Sequence, residues 1–240
     1  MKNITLIFCH GWAYNSQIFC DVIKQIESIK LKSEHNLNIY NLDLGFFEHN
    51  SNKSNPYNQR FIDENELKSH LEIAKQNNHH IIWIGHSYGL MHGGICCSSF
   101  IHQYIGINSL LDFSSYKVSI KAMLKQINSG NVSYVLHNFY AWCGDEQEAN
   151  LYIDNTKNNL NINIPQLTLC LENMFSYTYE IWNTKESKLS VLVNKHDVFV
   201  FENKNDIVLE FKEVEYMQNP HMLPKIAIDV CNDFIFTHIK

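Results

Sequence analysis

The sequence predicts an α/β architecture: a mostly parallel, twisted sheet flanked by helices, with a helical cap inserted between two strands. Three observations carry that prediction. Short apolar, strand-like runs alternate with longer helical patterns, as parallel βαβ units require. One such run, Ile81-Ile82-Trp83-Ile84, ends in Gly85-His86-Ser87-Tyr88-Gly89, a G-x-S-x-G placed at a strand-to-helix turn. From about Phe113 to Lys185 the alternation stops, and several helical patterns rich in aromatic residues follow one another.

The 240 residues suffice for one domain with a substantial core and room for one inserted subdomain. The division expected is a core of 1–112 and 186–240 around a cap of 113–185. Hydrophobic residues at 45% and charged residues at 18% exclude a disordered chain, and a net charge of −6 gives no case for nucleic-acid binding. No apolar run approaches the length needed to span a bilayer, and the run at 4–9 lacks the length and cleavage site of a secretory signal. The seven cysteines are odd in number, show no C-x-x-C spacing and sit mostly in apolar runs. A reduced, cytoplasmic, monomeric protein with buried thiols is the expectation.

Taken in order, the apolar run at 4–9 is a buried strand, followed by a helical pattern at 16–28 and a second strand at 37–42. Residues 51–59, polar and containing Pro56, read as a loop. A helix at 63–76 leads to the strand at 80–84, whose apolar residues run into the G-x-S-x-G and a helix at 87–101. Strands at 105–108, 189–193 and 209–216 and a closing helix at 226–238 complete the core. Inside 113–185 the aromatics, among them Phe139 and Trp142, suit a cap over the carboxyl ends of the strands, where open α/β sheets bind ligands. Any single one is expected to pack the cap on the core, while collectively some should line an apolar pocket.

The chemistry-bearing residues fall at strand ends. Ser87 occupies the centre of the G-x-S-x-G, where Gly85 and Gly89 allow the close backbone approach of a sharp turn. The turn sets the serine at a helix N-terminus, which favours negative charge. A serine hydroxyl needs a base within reach and an acid to orient that base, in the chain order Ser, Asp or Glu, His. Asp197 follows the strand at 189–193, and His221 lies in the loop between the last strand and the last helix. Asp112 is the rival acid, less well placed relative to a strand end and to His221. Asp206 lies at the wrong end of its strand, His196 should diverge from Asp197, and His238 should sit on the surface of the last helix. Two backbone donors for an oxyanion are expected from Tyr88 N–H and from Trp12 N–H, with Gly11 allowing close approach and His10 serving structure. His79 and His80 are adjacent, point to opposite strand faces and cannot share a metal; neither a P-loop nor a G-x-G-x-x-G is present. No cofactor or metal is implied.

These residues resemble the α/β-hydrolase family over nearly the whole chain. Within it, His10-Gly11-Trp12-Ala13-Tyr14-Asn15-Ser16-Gln17-Ile18-Phe19 is similar to the H-G-W-(G/A)-x-(N/D)-x-x-(V/I)-(W/F) signature of the pimeloyl-acyl carrier protein methyl ester esterases of biotin synthesis. The resemblance implies a carboxylesterase that releases methanol, with Ser87, Asp197 and His221 as its triad and Trp12 and Tyr88 as oxyanion donors. It implies an acyl channel that includes Phe139; Trp142, another cap aromatic, is expected to line the substrate pocket as well. The chain departs from that pattern in beginning almost directly at the His10-Gly11-Trp12 strand, without leading hairpin strands. It also lacks cap arginines, Arg60 being the only arginine. Lys117, Lys121 and Lys125 instead recur every four residues beside Val118, Ile120, Met123 and Leu124. They form one helical stripe, suited to an acidic acyl carrier protein or simply to solvent.

Overall fold

The computed structural model describes residues 2–30, 36–47, 61–145, 149, 162–182, 188–199, 201, 208 and 210–239. The predicted loop at 51–59, Arg60, Asp206, Leu209 and the expected cap boundary at 185–186 lie outside the described residues. The strands are β1 (Asn3–Cys9), β2 (Asn36–Leu42), β3 (Phe61–Ile62), β4 (His80–His86), β5 (Gln103–Ile107), β6 (Lys188–Asn194) and β7 (Glu210–Val214). The helices are α1 (Cys20–Lys30), α2 (Glu64–Gln76), α3 (Tyr88–Cys96), α4 (Lys117–Asn128), α5 (Val132–Trp142), α6 (Ile164–Ser176), a single turn α7 (Leu223–Ile226) and α8 (Ile228–Ile239).

The strands form one sheet in the order β3-β2-β1-β4-β5-β6-β7, and every described pair is parallel. From β1 the chain first steps toward β2, and from β4 it steps the opposite way toward β5. Right-handed crossovers therefore place α1 and α3 on opposite faces. Contacts agree with this: α1 packs on α8, while α2 and α3 meet through Glu64 and His92. With helices on both faces, β1, β4, β5 and β6 are buried almost throughout, which is why they read as continuous apolar runs.

Local departures have local causes. The first helical pattern begins as a 3₁₀ turn at Ser16–Phe19, with the Asn15 side chain accepting from Gln17 N–H, and only then becomes α1. Asp63 is the cap of α2, accepting from Glu66 N–H. The helix predicted to reach residue 101 stops at Cys96, because Cys97 leaves helical backbone (φ −129°) and the chain turns through a Phe100 N–H to Cys97 carbonyl bond. The closing helix is split at Ala227 (φ −134°) into α7 and α8. β7 is an edge strand with four exposed residues and one half-buried, so it carries little apolar signal.

Between β5 and β6 the described chain is helical: α4 packs on α5 and on α6. None of the seven cysteines forms a disulfide; six are buried and Cys96 is partly exposed. Among the described residues no helix is long and apolar enough to cross a membrane.

Candidate active site

β1 and β4 are neighbours in the sheet, Cys9 pairing with Gly85, and the strand order reverses between them. The carboxyl ends of such strands open into the crevice where α/β sheets bind ligands. Ser87 stands in that crevice between β4 and α3, with φ 53° and ψ −124°. Such left-handed backbone is strained for a serine and persists only where surrounding contacts enforce it. The contacts are visible. A Cβ on Gly89 would lie 2.2 Å from the Cys9 carbonyl oxygen, and one on Gly11 would lie 2.9 Å from Ser87 Cβ. Of the five described non-glycine residues with positive φ, four (Ala13, Ser87, Asn108 and Asn219) lie in loops at this edge; Asn78 lies at the other.

Asp197 follows β6 and His221 follows β7, so adjacent parallel strands deliver both to the same edge. His221 Nδ1 lies 2.9 Å from Asp197 Oδ1 and 3.1 Å from Oδ2. A carboxylate only accepts, so Nδ1 carries the proton and Nε2 is left as the basic nitrogen. Nε2 is buried and bonded to nothing among the described residues, Ser87 Oγ included. His221 itself is fully buried, its ring packed against those of His86 (4.7 Å between centroids) and Phe199 (4.9 Å).

The loop that presents His221 is clamped by three residues that sequence reasoning passed over. Asn108 Nδ2 donates to the Pro220 and His221 carbonyls at 2.8 and 3.0 Å. Asn194 Nδ2 donates to Tyr216 and Pro220 carbonyls, while its N–H donates to Asn108 Oδ1 at 2.7 Å. His86 Nε2 donates to the His221 carbonyl at 2.8 Å. Asparagine just past a strand was the available signal, since asparagine tolerates the positive φ (44°) that Asn108 adopts.

Asp112 is elsewhere: its carboxylate accepts from Ser114 N–H and Tyr179 N–H, both at 3.0 Å, and so braces the chain entering and leaving the helical segment. His196 turns outward to Glu215, 3.0 Å away. His238 corrects the expectation of a surface ring. Its side chain is 7% exposed, bonded to the Phe234 carbonyl and lying against Glu210 across the edge of the sheet.

On the β1 side, Leu44 N–H donates to His10 Nε2 at 2.9 Å, so His10 Nδ1 carries the proton and donates to the Gly11 carbonyl at 2.9 Å. Fixing that carbonyl also fixes the far side of the same planar peptide, the Trp12 N–H. That N–H makes no hydrogen bond among the described residues. Tyr88 opens α3, and first-turn amides have no partner within a helix. The Trp12 side chain is anchored by Nε1 to the Leu167 carbonyl at 2.9 Å and stands edge-on to Phe139 at 4.8 Å.

Above Ser87 lies a tight slot of about 20 Å³ whose walls are almost wholly apolar, with Trp12 and Phe199 from the core and Ile120, Met123, Phe139 and Trp142 from the helices between β5 and β6. A more open groove of about 440 Å³ lies beyond it between α4 and α5; the two share Ser119, Met123, Phe139 and Trp142. Lys117, Lys121 and Lys125 share one side of α4, Lys121 and Lys125 exposed and Lys117 half-buried with its ammonium 5.5 Å from the Phe175 ring. Val118 does not belong to the apolar face as expected: it is 84% exposed, and Ile120 and Ile127 are the residues α4 buries.

No protein-family model matches the sequence, and no curated protein matches it. Solved structures do. An extracellular α/β-hydrolase from a Paenibacillus species is similar, with a TM-score of 0.58 over 98% of this chain and 98% of that one at 11% identity. The chain has the α/β-hydrolase fold. A lipase-esterase related protein from Clostridium acetobutylicum shares it with a TM-score of 0.61, 16% identity, and 98% and 93% of the two chains covered. So does 1H-3-hydroxy-4-oxoquinoline 2,4-dioxygenase, at 0.58 and 10% identity over 100% and 92%. An esterase-related protein and a dioxygenase on one scaffold show that the α/β-hydrolase fold leaves the reaction to be argued from the site.

Proposed function

We propose that the chain is a serine carboxylesterase that hydrolyses the methyl ester of pimeloyl-acyl carrier protein, giving pimeloyl-acyl carrier protein and methanol in biotin biosynthesis. The observation that carries the hydrolase chemistry is the Asp197–His221 pair, which leaves a buried, basic Nε2 at the sheet edge where Ser87 is held in strained backbone. His221 takes the Ser87 proton as Oγ attacks the ester carbonyl, and the oxyanion rests on the N–H groups of Trp12 and Tyr88. Methanol departs with the proton from His221, and water releases the acyl group by the same steps in reverse roles. The Ser87–His221 hydrogen bond forms when substrate binds; such bonds are commonly long before then. No cofactor enters the cycle.

Two features support this substrate. The apolar lining of the slot, together with the larger groove beside it, suits a medium aliphatic acyl chain, and residues 10–19 resemble the signature of the biotin-pathway esterases. Ser87→Ala should lower kcat/KM by on the order of 10³-fold or more with the fold intact, and should abolish labelling by a fluorophosphonate. A chain that binds ligands without turnover would leave the wild type unlabelled. Turnover of pimeloyl-carrier methyl ester against short p-nitrophenyl esters, with rescue of a biotin auxotroph lacking its esterase, separates the proposed substrate from a general esterase or thioesterase.

A further inference from the structure

On the helical face opposite α1, three side chains converge that the proposed reaction does not use. Glu64 is the first residue of α2, and His92 and Cys96 lie one turn apart on the same side of α3. Their donor atoms all lie within 4.8 Å of one another. His92 is 5% exposed, and among the described residues neither ring nitrogen makes a well-aligned hydrogen bond; Nε2 stands 3.4 Å from Glu64 Oε2. A buried imidazole whose Nδ1 has no partner among the described residues and whose Nε2 has only this long contact is costly unless something else completes it. Glu64, with a side chain 38% exposed, and the partly exposed Cys96 leave the cluster open to solvent on one side, which is an entry path.

We propose that Glu64, His92 and Cys96 bind a divalent cation of the zinc class. One carboxylate oxygen, one imidazole nitrogen and one thiolate sulfur are the donors such an ion takes, whereas magnesium and calcium select oxygen. Tetrahedral binding at usual zinc–ligand lengths needs donors about 3.3–3.8 Å apart, so the cluster contracts by roughly 1 Å through side-chain rotation. The Cys96 thiol loses its proton to solvent as the sulfur–metal bond forms. The fourth position falls to water. Lys68, whose ammonium lies 2.7 Å from Glu64 Oε1, has a side chain 44% exposed and room to swing away. The ion would tie the first turn of α2 to the helix that Ser87 precedes, so its role is structural and independent of the proposed ester chemistry.

Cobalt(II) tests this on the full chain, freed of metal and kept reduced. The wild type should develop thiolate-to-cobalt absorption in the near ultraviolet and tetrahedral visible bands that saturate at one equivalent and bleach with one equivalent of zinc. Zinc at about 100 times its Kd should raise Tm by about 5 °C or more. Cys96→Ser should lose the thiolate band, His92→Gln should weaken binding at least about tenfold, and His196→Gln, on the surface, should change neither. Absence of the thiolate band from the wild type in excess cobalt, or its persistence in Cys96→Ser, would overturn the site. The wild-type spectrum decides the matter even if a variant fails to fold, and ester hydrolysis by the metal-free chain is a separate result.

Discussion

His86 is held neutral by what surrounds it. The His221 carbonyl can only accept, so His86 Nε2 carries its proton, while Nδ1 is buried without a partner among the described residues. Burial, with His221 alongside, pushes its pKa well below the ordinary 6.5. Unfolding exposes the ring, which then gains a proton below about pH 6.5 while the folded form does not. Stability contributed by the neutral ring is therefore complete above pH 6.5 and lost as pH falls toward the lower folded value. Burial lowers His80 too, with the same sign. From pH 6.5 to 5.5 the His86 contribution should fall by about 1 kcal/mol, read as a drop in the urea midpoint at constant m. A midpoint flat over that interval would show that His86 protonates in the fold. At this scale the sequence was informative where residue type is chemically demanding: Ser87, Asp197 and His221 each follow a strand. Asn108, Asn194 and His86 were passed over because they act by holding backbone carbonyls, a role that depends on loop geometry more than on residue order; asparagine just past a strand was the one signal.

The helix after Ser87 is built on glycines that let it sink onto the sheet. A Cβ on Gly89 would meet backbone, 2.2 Å from the Cys9 carbonyl oxygen, and one on Gly93 would lie 2.4 Å from the Trp83 indole, whose Nε1 donates to the Gly89 carbonyl. Gly89→Ala must therefore push α3 off β1, and Ser87 with it. It should cost about 3 kcal/mol, lower Tm by several degrees and depress turnover together. Gly45→Ala supplies the contrast: φ is +70° but nothing lies within 4 Å, so about 1 kcal/mol is expected with activity spared. Equal behaviour of the two variants in melting and turnover would refute the close-approach account. Elements buried on both faces were legible as apolar runs, down to β4 and its turn. β3, two residues long, and β7, mostly exposed, carry too little pattern to fix their bounds. Within 113–185 helical character was readable but individual helices were not, because α4 and α5 begin without a side-chain cap.

Across the whole molecule, a chain of net charge −6 carries a local cationic strip on α4, which contains three lysines and no acidic residue. The strip borders the way in: Ser119 and Met123, interleaved with the lysines on α4, line both the slot over Ser87 and the outer groove. An acidic carrier protein seated on the strip would present its acyl arm to that groove, and the slot would lead the ester to Ser87. Exposed ion pairs contribute roughly 0.2–1 kcal/mol each, so reversing the strip should matter only for a charged partner. Lys121→Glu with Lys125→Glu is the cleaner pair, because Lys117 also packs its ammonium over Phe175. With Lys117→Glu added, kcat/KM for the carrier-linked ester should fall about 10- to 100-fold at low ionic strength, and the gap should narrow at high salt. A short p-nitrophenyl ester, which needs no carrier, should be turned over within about twofold of wild type. Equal losses on both esters would locate the damage in the slot, and unchanged carrier turnover would remove docking from α4.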